Sequence, residues 1–389
     1  MKILQKIIII FLIWLIFSQT IYAKPVEEIW TKQLDTVDFS SIEQVVNRIK
    51  KQSDNSYLEE FDFSETIRKI IKGEIDFSIL SVTKVVVKLF FQEIKGFMSL
   101  IGKLLIISIL CALLNNIAES FQNKSTSQIG FYVCYIVLII LLLQSFQIAM
   151  EVSQSTIENM VLIMQSVLPI LLTLMMTSGG VSSGTIFEPI ILFSVQTISM
   201  FVKSIILPTI FLIAVIGVVN SLSGKEVLKK MKELFEQITD WILKGIAALF
   251  VGIMGIHGLT APALDGIINN AAKSAVSTFV PIVGEALSGA VDVVMNCSLL
   301  IKNAIGVGAI ILLCIYCIIP VIKILSFLFA YKIAAALIEP ISDKRIVNCI
   351  SDMGEACKRL FTCIFTVNIL FIVSITILVG VGSMIAMLR

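Results

Sequence analysis

Apolar runs close to twenty residues long recur from about residue 97 to the end of the chain, separated by short polar clusters. The hydrocarbon core of a bilayer, about 30 Å thick, takes roughly 20 residues of helix. The pattern therefore predicts spans at about 97–115, 130–149, 159–176, 186–203, 205–222, 242–260, 304–328 and 361–387. The class is all-α, a polytopic membrane helix bundle of about 6–8 spans. Pro169, Pro189 and Pro208 punctuate the third to fifth runs, and only Lys203-Ser204 separates two of them. Proline removes a backbone donor and breaks or kinks a helix, so the region from 159 to 222 is open to two re-entrant half-spans.

Ahead of the spans the pattern is amphipathic. Ser40 or Ser41 can cap a helix whose apolar positions Ile42, Val45, Val46 and Ile49 recur at helical spacing. A second helix carries Ile67, Ile70 and Ile71 and stops near Gly73. So short a region has a thin core and must lean on the membrane or on a partner. From Ser78 to Lys95, an apolar face of Val82, Val85, Val86, Leu89 and Phe90 opposes Lys84, Lys88 and Lys95. That stretch fits a bilayer-surface helix or a juxtamembrane helix packed on protein. Gly224 to Asp240 has the same character with mixed charge, and Gly245, Ala248, Gly252 and Gly255 then form a small-residue stripe suited to close helix packing.

Met1 to Ala23 has Lys2 and Lys6, an apolar run and Ile21-Tyr22-Ala23, the layout of a signal peptide cleaved after Ala23. The expected organisation is a signal peptide over 1–23 and an extracytoplasmic helical domain with an interfacial helix over 24–95. A polytopic membrane domain follows over 96–389, with a cytoplasmic amphipathic helix at 223–241 and an extracytoplasmic or interfacial segment at 261–303. The clusters around Lys124, Lys225 to Lys232, and Lys344 to Arg359 then fall inside, and a loop around Glu151 and Glu158 falls outside, as the positive-inside rule asks.

With 57% of 389 residues hydrophobic and 15% charged, and a mean hydropathy of +0.97, an ordinary soluble protein is excluded. A net charge of +2 offers no argument for nucleic-acid binding. None of the 8 cysteines lies between Lys24 and Leu110, so no disulfide framework is expected there. Cys314 and Cys317 sit in an apolar run and read as membrane-core residues.

Chemistry-bearing motifs are sparse. Ser223-Gly224-Lys225 lacks the remainder of a P-loop, so any ATP-driven step belongs to a partner ATPase. One histidine leaves no zinc ligand set, and no cofactor is expected. Gly180 to Gly184 matches G-x-S-x-G, and Ser182 with His257 would make an intramembrane serine protease if the two met. The alternative is a Gly/Ser turn beside an interfacial histidine. Lys103 and Lys332 read as snorkelling residues. Glu188 before Pro189, together with Lys323 after Pro320, suits a broken-helix transport site and a secondary permease. Gly252 and Gly255 are the packing candidates.

The most distinctive stretch contains Asp265-Gly266-Ile267, Ala272-Lys273, Phe279, Pro281, Val283-Gly284, Asp292, Ser298-Leu299-Leu300, Lys302-Asn303, Ile305-Gly306, Pro320, Lys323-Ile324-Leu325-Ser326 and Tyr331-Lys332. With Ser178-Gly179-Gly180-Val181 and the ending Met387-Leu388-Arg389, it resembles the stage III sporulation protein AE family. The resemblance implies a multi-pass, non-enzymatic protein in the mother-cell membrane facing the forespore of endospore-forming bacteria. It further implies partnership with other stage III sporulation envelope proteins in a channel or secretion-like complex. In that setting Asp265, Lys273, Asp292 and Lys302 are candidate docking residues, on a segment that serves as a docking surface or pore vestibule, or as a lid over the bundle.

Overall fold

The computed structural model describes residues 26–52, 61–74, 79–120, 124–223, 227–279 and 283–387, all but the turns helical and none in a strand. The signal peptide expected over 1–23 lies outside the described residues. Three short helices come first: α1 (Val26–Asp35), α2 (Ser40–Gln52) and α3 (Phe63–Lys72). Long helices follow: α4 (Ile79–Ser120), α5 (Lys124–Thr177), α6 (Val181–Phe201), which runs through a π-helical turn (Val202–Ile206) into α7 (Leu207–Ser223), α8 (Lys229–Phe279), α9 (Val283–Ile338) and α10 (Lys344–Met387).

The short helices form because their apolar residues share one face. Trp30, Leu34, Ile42, Val46, Ile49 and Ile67 are buried together with Phe39, Phe61 and Phe63. Ser40 opens α2 as its first helical residue, not as the cap; the Asp38 carboxylate accepts its amide hydrogen at 2.9 Å. Gly73 ends α3 with a left-handed backbone. The thin core leans on α9 of its own chain. Ile67, Phe63 and Ile70 pack beside Gly308, and Gln33 donates to the Val294 carbonyl and the Ser298 hydroxyl.

Among the described residues six helices are long and apolar enough to cross a membrane: 83–114, 129–177, 181–222, 229–258, 292–338 and 344–384. Six falls within the expected range of about 6–8, and the placement of eight separate runs is corrected. No loop surrounds Glu151 and Glu158; instead Gln147 and Gln154 bond to them one helical turn on, inside α5. The runs at 186–203 and 205–222 are likewise one helix. Pro208 has no amide to give, and the Leu207 amide bonds the Val202 carbonyl five residues back, so the π turn carries the helix across. The amphipathic stretch at 223–241 leads without a break into the next apolar run, since α8 starts at Lys229 and passes through Pro262 to Phe279. The interfacial stretch and first span are also a single helix, with Lys84, Lys88 and Lys95 exposed.

At the centre is the antiparallel hairpin of α9 and α10. Its register is read from three approaches: Tyr331 and Lys332 beside Gly354, Gly306 beside Val379, and Lys302 beside Gly382. A Cβ on Gly306 or Gly382 would collide with the opposite helix, so glycine is what permits this spacing. Around the hairpin stand α4, α5, α7 and α8, with α6 between α5 and α8. Two hydroxyl contacts tie α5 to α9: Asn159 donates to Tyr316 at 3.0 Å, and Ser145 and Tyr331 lie 2.6 Å apart.

The apolar runs do not share one layer. Phe97 packs on Phe327, and Arg345 lies over the Phe131 ring, so the runs at 97–115 and 130–149 flank the half of the hairpin nearest its turn. The run at 361–387 belongs to the other half, beside Lys302. From Lys302 to Lys332 the helix rises about 45 Å, more than one hydrocarbon core.

Among the described residues nothing packs on the glycines of the small-residue stripe on α8: a Cβ on Gly245, Gly252 or Gly255 would meet nothing within 4 Å. Gly306→Ala should therefore lower stability by about 1–3 kcal/mol through overpacking against Val379, while Gly252→Ala should be neutral or slightly stabilising. Melting of the purified protein in detergent reads both; equal effects would refute the hairpin register.

Candidate functional site

Three groups of charges are built into the long helices. The first is the turn between α5 and α6. Here α5 ends in a Schellman arrangement: the Gly180 amide bonds the Met175 carbonyl at 2.9 Å and the Gly179 amide bonds Met176 at 3.1 Å, with Gly179 at φ 95°. Gly180 then stands at the N-cap of α6 without a side chain to satisfy the first amides. Asp265 of α8 supplies the acceptors. Its Oδ1 takes the Ser182 amide at 2.8 Å and its Oδ2 the Ser183 amide at 2.9 Å. The carboxylate is 2% exposed. A buried charge needs such partners, and the positive end of a helix dipole is a fitting one.

This geometry decides how the G-x-S-x-G match reads. The amides following Gly180 are engaged by a carboxylate, and His257 packs edge-on against Phe187 at 6.3 Å. Among the described residues Ser182 and His257 share no hydrogen bond. The motif here is a capped turn.

The second group surrounds Lys302, 1% exposed. Its Nζ donates to the carbonyls of Leu378 at 3.0 Å and Val379 at 3.3 Å, in space left by Gly382. One residue on, the Asn303 amide reaches the Ser383 hydroxyl at 3.4 Å. Carbonyl oxygens of α10 thus solvate the ammonium in place of water, anchoring α9 near the end of α10.

The third is a layer of ion pairs toward the opposite end. Lys232 pairs with Asp352 at 2.5 Å, which itself packs against Gly217. Arg359 bridges Asp240 at 2.7 Å and Glu236 at 3.2 Å. Lys332 pairs with Glu355 at 2.7 Å, so it is tied to α10 and does not snorkel freely. These pairs join α8, α9 and α10. A cleft of about 470 Å³ opens among them, lined by Asp240, Lys244, Glu355, Lys358 and Arg359 with apolar residues of the π turn and α7. Lys203, expected at a loop, lies in the π turn and reaches Glu158 of α5 at 2.7 Å.

The residues singled out by sequence are therefore only partly brought together. Glu188 adjoins Phe187, level with His257 and, through Gly258, with Ile377. Lys323 lies on α9 near the ion-pair layer, roughly 25 Å away along the hairpin. The two positions thus stand at different levels of the bundle. Asp265 and Lys302 both turn inward, which withdraws their head groups from a docking partner; Asp292 is half-buried on α9, and Lys273 lies on the last turns of α8. The ion-pair layer was missed, although its signal was present: Lys232, Glu236 and Asp240 recur every four residues, and Asp352, Glu355 and Arg359 follow helical spacing. Cys314 and Cys317 face apart, Cys314 exposed and Cys317 buried with its sulfur 3.1 Å from that of Met160.

Asp265→Ala should cost about 1–2 kcal/mol by stripping the cap from α6, and Asp265→Asn less, because an amide oxygen can replace one acceptor. Thermal melting of both variants checks this; equal loss would mean that the charge, not the acceptor, is what α6 requires. For the ion-pair layer, a double-mutant cycle of Lys232→Gln and Asp352→Asn should give a coupling of about 0.5–1 kcal/mol that shrinks in high salt. Additive effects would show that the pair contributes nothing.

Comparison with known proteins places this arrangement. The family model described as stage III sporulation protein AE matches residues 61–382. A relative in Bacillus subtilis (strain 168), bearing the name stage III sporulation protein AE, is 30% identical over 325 residues, covering 83% of this chain and 81% of its own. No solved structure matches the chain.

Proposed function

Because the chain belongs to the stage III sporulation protein AE family, we propose that it is a non-enzymatic subunit of a channel or secretion-like complex joining mother cell and forespore during late endospore development. The observation that carries this reading is the spread of exposed apolar side chains. Ile129, Val133, Ile136 and Ile140 are exposed on α5 beside the turn-proximal half of the central hairpin, while Phe193, Leu249 and Ile256 are exposed beside its other half. Together they cover a height greater than a hydrocarbon core of about 30 Å. One bilayer cannot cover both levels of an upright bundle, and apolar surface in excess of it calls for protein neighbours. Those neighbours are other stage III sporulation envelope proteins, with any energy supplied by a partner ATPase.

The turns at Lys229 to Lys232 and Lys344-Arg345 meet at one end of the bundle. The positive-inside rule makes that end cytoplasmic, in the mother cell, and leaves the helices α1 to α3 outside. A photo-crosslinking residue at Ile136 and another at Ile256, in sporulating cells, should capture envelope proteins other than this chain from at least one level. Capture of lipid alone at both levels would overturn the subunit reading. Sustained movement of a small molecule by the purified chain alone in vesicles would favour a permease instead.

A further inference from the structure

The ion-pair layer extends into a more basic cluster. At the end where α7 finishes and α8 and α10 begin, a cleft of about 440 Å³ is lined by Lys229, Lys232, Lys344, Arg345, Asn220, Ser221, Asn348 and Asp352. Among the described residues of the lining four cations face one carboxylate, and Lys229 is itself engaged in a further contact. Asp352 is engaged by Lys232. Arg345 lies 3.4 Å from Asp343, outside the lining, and its guanidinium is stacked on Phe131. Lys344 has no carboxylate partner among the described residues.

Two further features raise the positive potential. The first turn of α8 holds no acidic residue to balance the helix dipole, and that of α10 holds none either, although Asp343 just ahead of it accepts the Arg345 amide at 2.8 Å. Both place lysines there instead. The neutral residues of the cleft are hydrogen-bonding ones. Asn220 accepts the Leu228 amide through its Oδ1 at 2.8 Å, which leaves its NH2 group to donate. Ser221 and Asn348 add a hydroxyl and a second amide.

We propose that this cleft is a binding site for a phosphate-bearing anion. Its converging ammonium, guanidinium, amide and hydroxyl donors match the oxygens of a phosphate, and its size admits a phospholipid headgroup or a small soluble phosphate compound. The site stands apart from the subunit reading above, since it rests on the charge and shape of the cleft alone.

The test uses the full-length protein purified in non-ionic detergent, with melting followed on titration of phosphatidylglycerol, phosphatidylcholine or inorganic pyrophosphate. Phosphatidylglycerol should stabilise the protein. The double variant Lys229→Gln/Lys344→Gln should weaken its apparent affinity about tenfold or more, whereas Lys229→Arg/Lys344→Arg and the α4 control Lys84→Gln/Lys88→Gln should retain it. Stabilisation by phosphatidylglycerol but not pyrophosphate identifies a lipid headgroup; stabilisation by pyrophosphate, lost in the Gln variant, identifies a soluble phosphate. No stabilisation by either, an equal shift with phosphatidylcholine, or full retention in the Gln variant would overturn the site. Because Lys229 and Lys344 lie at helix starts, melting of the unliganded variants separates lost binding from lost folding.

Discussion

The close approach of α9 and α10 is the contact on which the remaining helices depend. Glycine at 306 and 382 lets the two backbones come near enough for Val379 and Lys302 to fill the seam. Lipid tails offer no hydrophobic drive for helices to associate, so van der Waals contact and interhelical polar bonds must hold them. Three of the other long helices then find their places on this hairpin, α5 through Asn159 and Ser145, α8 through its ion pairs and α4 through Phe97, while α6 stands between α5 and α8.

The charges follow the same logic. Those within the bundle are solvated by the chain, Asp265 by backbone amides and Lys302 by backbone carbonyls, while those nearer the basic end pair with one another. A group that costs much in an apolar medium is thereby spent on locating a helix. None of these arrangements brings together a nucleophile and a base, and the subunit reading draws its support from surface and family.

The helical class and the apolar faces of α2 and α3 were legible from spacing alone, as was the end of α3 at Gly73. Helix continuity was not. A rule that counts roughly 20 residues per span cuts a long helix wherever polar residues appear, yet Gln147, Glu151, Gln154 and Glu158 are compatible with helix and bond along it. Proline misled in the same way, since a π turn or a neighbouring helix can absorb the missing amide. Asp265 and Ser182 are separated by 83 residues, and no local pattern reports such a contact. The family resemblance pointed to that stretch, while the docking or lid role read from its charges did not foresee that Asp265 and Lys302 are buried.

The π turn at Val202–Ile206 has a consequence for phase. Buried positions run Phe187, Ile191, Val195, Ile198, Val202, Ile206 and Ile210, so their last three steps are each four residues. On an uninterrupted α-helix such a run drifts around the axis, because a turn takes about 3.6 residues. The wider turn takes up the surplus and returns the stripe to the face it left. The joined helix α6–α7 thereby keeps a single inward side along its length, with Lys203 set at the join and its ammonium reaching sideways to α5. A chain that miscounts by one residue has in this way stayed in step with its neighbours.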